Sequence, residues 1–102
     1  MPALSYYCNV DNTAAVILHR KGYRLWNDLE MKAICAEKNG WDFAADDAVQ
    51  LLGLISIFES QQPAEYREYW WKIDDPWLLD ELPDFSPSYV PVANQSAFPA
   101  NS

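Results

Sequence analysis

The residues best equipped for chemistry in this chain are its carboxylates. Asp42, Asp46 and Asp47 stand within six residues of one another, and Asp74, Asp75, Asp80, Glu81 and Asp84 within eleven. Calcium and magnesium are held by several oxygens at once, and two carboxylates can serve as acid and base on a glycosidic bond. Neither group follows the twelve-residue calcium loop with its central glycine. A chain of 102 residues also leaves little room for a sugar cleft. Capping of helix N-termini and solvation of a surface fit these acids better. The single histidine, His19, excludes any site that needs two imidazoles. His19 and Cys35 could in principle form a nucleophile–base pair. His19, however, lies in the basic run His19-Arg20-Lys21, where cations oppose the negative end of a helix dipole. Cys8 and Cys35 are too few for a disulfide scaffold and read as two reduced, buried thiols, with one Cys8–Cys35 bridge as the alternative. There is no Cys-x-x-Cys pair, no glycine-rich phosphate loop and no dinucleotide fingerprint. The expectation is therefore no catalytic set, no metal and no cofactor.

Large rings are the second resource. The chain has five Trp, six Tyr and four Phe, and Tyr66, Tyr69, Trp70, Trp71 and Trp77 fall within twelve residues. Most such rings belong in a core, since each buries much area. Here they crowd beside many acids and only two bases, Arg67 and Lys72. Interfaces place aromatic anchors at the centre and polar residues at the rim. The candidate partner-binding residues are accordingly Tyr66, Tyr69, Trp71, Asp74, Asp75, Trp77, Asp80 and Glu81. Trp71 is the best exposed ring, because it lies off the helical face Tyr66–Tyr69–Trp70–Ile73 that is assigned to the core.

The elements that must position these residues read as helices. Asp11-Asn12-Thr13 offers N-caps to a helix that begins at Ala14 and ends near Gly22. Residues 23–38 show a stripe of Leu25, Trp26, Leu29, Ala33 and Ala36, closed by Asn39-Gly40 as a left-handed cap. Residues 41–45 read as a connection. Asp46 or Asp47 then caps a helix over 48–60 that is apolar nearly all round, as a central buried helix is. Its line of Gln50, Gly53, Ser56 and Ser60 would let another backbone approach. Pro63 suits the first turn of a helix running to about Trp70. Asp75-Pro76 starts a short helix over 77–82. The segment 4–10, rich in aromatic and β-branched residues, is a candidate short strand. The predicted fold is mainly α: a single helical domain over 1–84 of four to five helices, followed by a proline-containing, largely extended tail over 85–102.

The formal charge is −8, and it is unevenly placed. Residues 1–41 carry a balance of +1 and residues 42–102 a balance of −9. That asymmetry argues against direct contact with nucleic acid, which needs a basic footprint. No apolar run approaches the roughly 20 residues of a spanning helix, and no secretory signal is visible, so the expected compartment is the cytoplasm. The expected function is a small acidic, non-enzymatic interaction module of inhibitor, immunity or adaptor type, docking a basic protein surface through its C-terminal half. Two rivals are a small enzyme or metal-dependent site built on the carboxylates, and a nucleic-acid mimic that occupies a DNA-binding protein.

Overall fold

The computed structural model of the protein describes residues 2–94. The helical-bundle expectation is overturned. The chain forms two α-helices and a three-stranded antiparallel sheet, in the order α1 (Cys8–Arg20), β1 (Arg24–Asp28), β2 (Ala33–Lys38), β3 (Trp41–Ala45) and α2 (Ala48–Gln61). All five elements belong to one compact unit, Tyr6–Lys72. The described residues on either side of it form a second.

The stretch 23–38, expected to be helical, is instead two strands and a turn. The Asn39-Gly40 pair explains the misreading. Asn39 and Gly40 both have positive φ, 54° and 87°. A helix C-cap and a two-residue hairpin turn make the same demand on the backbone, and Asn-Gly meets both. Here the pair closes a hairpin in which Lys38 faces Trp41 and Ala36 faces Phe43. Glu37 locks the corner, its carboxylate accepting from the Gly40 N–H at 2.9 Å and from Arg24 Nε at 2.7 Å. Those two contacts hold the Glu37 carboxyl below the usual carboxylate range. The β1–β2 turn is held by Asp28, which accepts from the Met31 N–H at 3.0 Å, and Lys32 takes a φ of 54° to re-enter β2. The expected connection over 41–45 is β3.

Alternation along the strands decides what each face does. Leu25, Ile34, Ala36, Phe43 and Ala45 point to the helices, where Leu18, Tyr23, Leu51 and Ile55 complete the core. Trp26 pairs with Cys35 on the opposite face. Helix α2 lies where expected, and its N-cap is Asp47, which accepts from the Gln50 N–H at 2.8 Å. A second α2 N–H, that of Val49, is bound by Asp11 from α1. Helix α1 starts earlier than expected, at Cys8, so the candidate strand over 4–10 is not formed. The expectation that α2 is buried all round is also corrected. Leu51 and Ile55 are fully buried, but Leu54 and Ile57 are exposed, and among the described residues no neighbouring element comes within 4 Å of the place a Cβ on Gly53 would occupy. One neighbouring helix and one face of a narrow sheet cannot surround α2.

Neither of the later helices forms as expected. Residues 63–70 are loop and turn, with Tyr69 at a φ of 58° and the Trp70 N–H donating to Arg67 at 3.1 Å. A left-handed Tyr69 stops any helical face from running through Tyr66, Tyr69 and Ile73. In the second unit, a single 3-10 turn over Leu78–Glu81 stands in place of the helix over 77–82. Residues 85–91 form no helix or strand, and Val92–Asn94 make a further 3-10 turn. The remainder of the expected tail lies outside the described residues. No helix among the described residues is long and apolar enough to cross a membrane.

Candidate functional site

Strand alternation and the tight hairpin put Trp41 and Phe43 on the helix side of β3, against the C-terminal half of α2. Phe58 meets both, at centroid distances of 5.0 Å to Trp41 and 5.3 Å to Phe43. The turn that follows α2 adds Trp70, 5.6 Å from Trp41 and 5.8 Å from Phe58, and Tyr66, 6.5 Å from Trp41. That turn is tied back to the helix by Gln61, whose side-chain amide donates to the Trp71 carbonyl at 3.4 Å. The result is a continuous ring cluster. Most of its contacts are tilted or edge-to-face, the arrangements that ring quadrupoles favour.

Among the concave surfaces that flank the cluster, two include Trp70 in their walls. One is an apolar groove of about 440 Å³ between Phe43, Leu54, Ile57, Trp70 and Trp71, lined also by Asp42. The other, of about 400 Å³, is walled by Trp41, Tyr66 and Trp70, with Asp42 and Glu65 beside them.

Of the candidate partner-binding residues, Tyr66, Tyr69 and Trp71 belong to the first unit. Tyr66 joins the cluster yet is 74% exposed, and Tyr69 packs edge-on against Trp71 at 5.8 Å. Trp71 is half-exposed and lines the apolar groove. The supposed core face Tyr66–Tyr69–Trp70–Ile73 does not exist, and Trp70 alone of the four is substantially covered. Asp74, Asp75, Trp77, Asp80 and Glu81 lie in the second unit, where every described residue from Ile73 to Val90 is exposed. There Trp77, Leu78, Leu79 and Leu82 stand open to solvent around the 3-10 turn. The rings that sequence reasoning missed are Trp41, Phe43 and Phe58. Trp41 and Phe43, two apart just after Asn-Gly, carry the strand signal that would have found them.

Three of the carboxylates near the start of α2, Asp11, Asp28 and Asp47, are committed to structure. Asp11, Asp28, Asp46 and Asp47 border a recess of about 240 Å³ that Lys32 also lines. Asp11 and Asp47 accept from α2 backbone N–H groups and Asp28 from its own turn. Among the described residues no three His, Cys, Asp or Glu side chains are grouped to hold a metal ion. The cysteines are both free, and the reading of two buried thiols is corrected at Cys8, which is exposed. Burial pushes the Cys35 thiol up, helped by the charges of Asp28 and Asp42, so it is a poor nucleophile at neutral pH. His19 is solvent-exposed near the end of α1. No protein-family model matches the chain, and neither a curated protein nor a solved structure matches it.

Proposed function

We propose that the protein is a small, non-enzymatic interaction module whose C-terminal segment docks on a basic protein surface. One observation carries this reading: the segment from Ile73 to Val90 leaves Trp77, Leu78, Leu79, Leu82, Phe85 and Tyr89 exposed together. Large apolar side chains that the described residues leave uncovered in one short segment favour a partner surface. The same segment supplies Asp74, Asp75, Asp80, Glu81 and Asp84 and no base. Opposite charge would speed encounter, and the rings would supply affinity on burial. The half-exposed Trp71 beside the apolar groove adds a second anchor of the same kind.

The test is affinity capture from native lysate at low and moderate salt, followed by binding kinetics on the captured protein. Two variants accompany the full chain, each checked for an unchanged melting temperature. The double change Asp80→Asn and Glu81→Gln should mainly slow association and flatten its salt dependence. Trp77→Ala should mainly speed dissociation and cost about 2 kcal/mol or more if the ring is an anchor. A captured partner that binds both variants as it binds the parent removes the segment from the interface and the reading with it.

A further inference from the structure

Strand β3 ends the sheet, and among the described residues no strand lies beside its outer edge. Which main-chain groups it offers there follows from the hairpin. Asn39 and Gly40 both have positive φ, so the two-residue turn makes Lys38 and Trp41 a hydrogen-bonded pair. The alternation of an antiparallel ladder then commits the main-chain groups of Trp41, Phe43 and Ala45 to β2. Those of Asp42 and Ala44 point outward, and both residues are exposed. Proline, lysine and bulges are common guards of such an edge, and β3 has none of them in its sequence or its unbroken register. The other edge strand, β1, is better protected, with Arg24 and Asp28 at its ends and α1 against it.

Unpaired main-chain groups accept a further strand, and the two faces of β3 state which side chains that strand should carry. On the helix side, the side chain next to Phe43 meets the apolar groove between Phe43, Leu54, Ile57, Trp70 and Trp71. Leu54, Ile57 and Trp71 are 40%, 44% and 51% exposed, so a large apolar side chain there covers surface that the fold leaves open. On the opposite face stands Asp42, which makes no salt bridge among the described residues. Its neighbour on β2 is another carboxylate, Glu37, already held by Arg24 and the Gly40 N–H. A cation on the free side of Asp42 completes that row, since opposite charges on neighbouring strands attract. A second copy of this chain fits poorly. It would bring another eight net negative charges to the seam. The open apolar surface is also only that of a few side chains, whereas a stable interface buries about 800 Å² on each partner.

We propose that the β3 edge binds an extended, basic segment of another protein as an added antiparallel strand. The main chain of that segment pairs with Asp42 and Ala44. Between those pairs an apolar side chain enters the groove beside Phe43, and on the outer face a lysine or arginine meets Asp42. The site lies within Tyr6–Lys72 and does not rest on the C-terminal segment.

The probe is the capped peptide Val-Thr-Leu-Lys-Val, whose threonine, leucine and lysine fall opposite Ala44, Phe43 and Asp42 in the antiparallel register. An NMR titration of the full chain follows backbone amide signals and their hydrogen exchange. The expected result is a saturable shift centred on β3, with exchange of the Asp42 and Ala44 N–H groups slowed about ten-fold or more. A methyl on the threonine nitrogen removes a bond to Ala44 and should weaken binding about ten-fold. A methyl on the leucine nitrogen, which faces away from β3, should leave binding unchanged. Glutamate in place of the peptide's lysine should weaken it several-fold. In the protein, Ala44→Pro should abolish binding and keep every β2 pairing, because only an outward N–H is lost. The methylated peptides keep the test decisive if Ala44→Pro lowers the melting temperature. Equal effects of the two methyl groups, no saturation, or shifts centred away from β3 overturn the proposal. So does protection of the Asp42 and Ala44 amides that rises with protein concentration alone, which would assign the edge to a second copy.

Discussion

Tyr23 brings an ionisable hydroxyl to the edge of the core and shares a carboxylate there with a lysine. Its Oη donates to Glu59 Oε2 at 3.2 Å, while Lys21 Nζ donates to Glu59 Oε1 at 2.9 Å. Burial, reinforced by the Glu59 charge and hydrogen bond, pushes the Tyr23 phenol up to about 12. The Lys21 hydrogen bond pulls the Glu59 carboxyl down against its partial burial, and the Tyr23 hydroxyl assists. These shifts act on stability in opposite pH windows. Between pH 10 and about 12 the unfolded chain gives up the Tyr23 proton and the folded chain keeps it, so stability falls as pH rises through that window. The full loss is at most about 2–3 kcal/mol, the worth of a shift near two units. Glu59 acts in acid: its contribution is present above its unfolded value of 4.5 and is lost as pH falls through the lower folded one. Denaturant melts of the full chain and of Tyr23→Phe should differ by about 1 kcal/mol at neutral pH, the worth of one hydrogen bond. That gap should close and reverse between pH 10 and 12. Parallel curves across the alkaline range would mean that the phenol titrates as it does in water.

At the scale of the element, one substitution at two glycines tests why the chain turns where it does. Gly40 has a φ of 87° and nothing within 4 Å of the place a Cβ would occupy, so its need for glycine is purely conformational. Gly53 lies within α2 and is equally open. Gly40→Ala should therefore destabilise by about 1–2 kcal/mol, through the left-handed backbone alone. Gly53→Ala should stabilise by about 0.5–1 kcal/mol, through helix propensity. Thermal or denaturant unfolding of the two variants reads both signs, and a loss at both sites would show that Gly53 serves some contact. The same pair marks what was legible in the sequence. Helix α2 was legible because a long apolar run follows an acid, and Asp47 does cap it. The hairpins were not, because Leu25, Trp26, Ala33 and Ala36 fit a helical stripe as well as they fit two strands. Only long-range pairing, Leu25 with Ala36 and Trp26 with Cys35, separates the readings. Tyr66 was singled out for its ring, but its neighbour Trp41 was lost in what read as a connection. A ring cluster assembled from a strand, a helix and the turn beyond it leaves no local spacing to read.

For the molecule as a whole, burial and charge are distributed in opposite directions along the chain. Among the described residues Ala14, Leu18, Tyr23, Cys35, Ala36, Ala48, Leu51 and Ile55 are the buried hydrophobics, and all lie within Tyr6–Lys72. Chain from Ile73 onward carries five acids and no base, so five of the eight net negative charges belong to it. A region that contributes exposed apolar side chains and like charges adds little to a core and is suited to a partner. The prediction is that the fragment 6–72 folds on its own. It should unfold in one cooperative transition by circular dichroism, with a midpoint within a few degrees of that of the full chain, since the buried core is intact. Capture of a basic partner should be lost, because Trp77, Leu78, Leu79 and their acids have gone. A fragment that melts without cooperativity would show that the later segment supplies part of the fold, and its exposed side chains would then need a structural account. A fragment that folds and still captures the partner would move the interface to the groove beside Trp71.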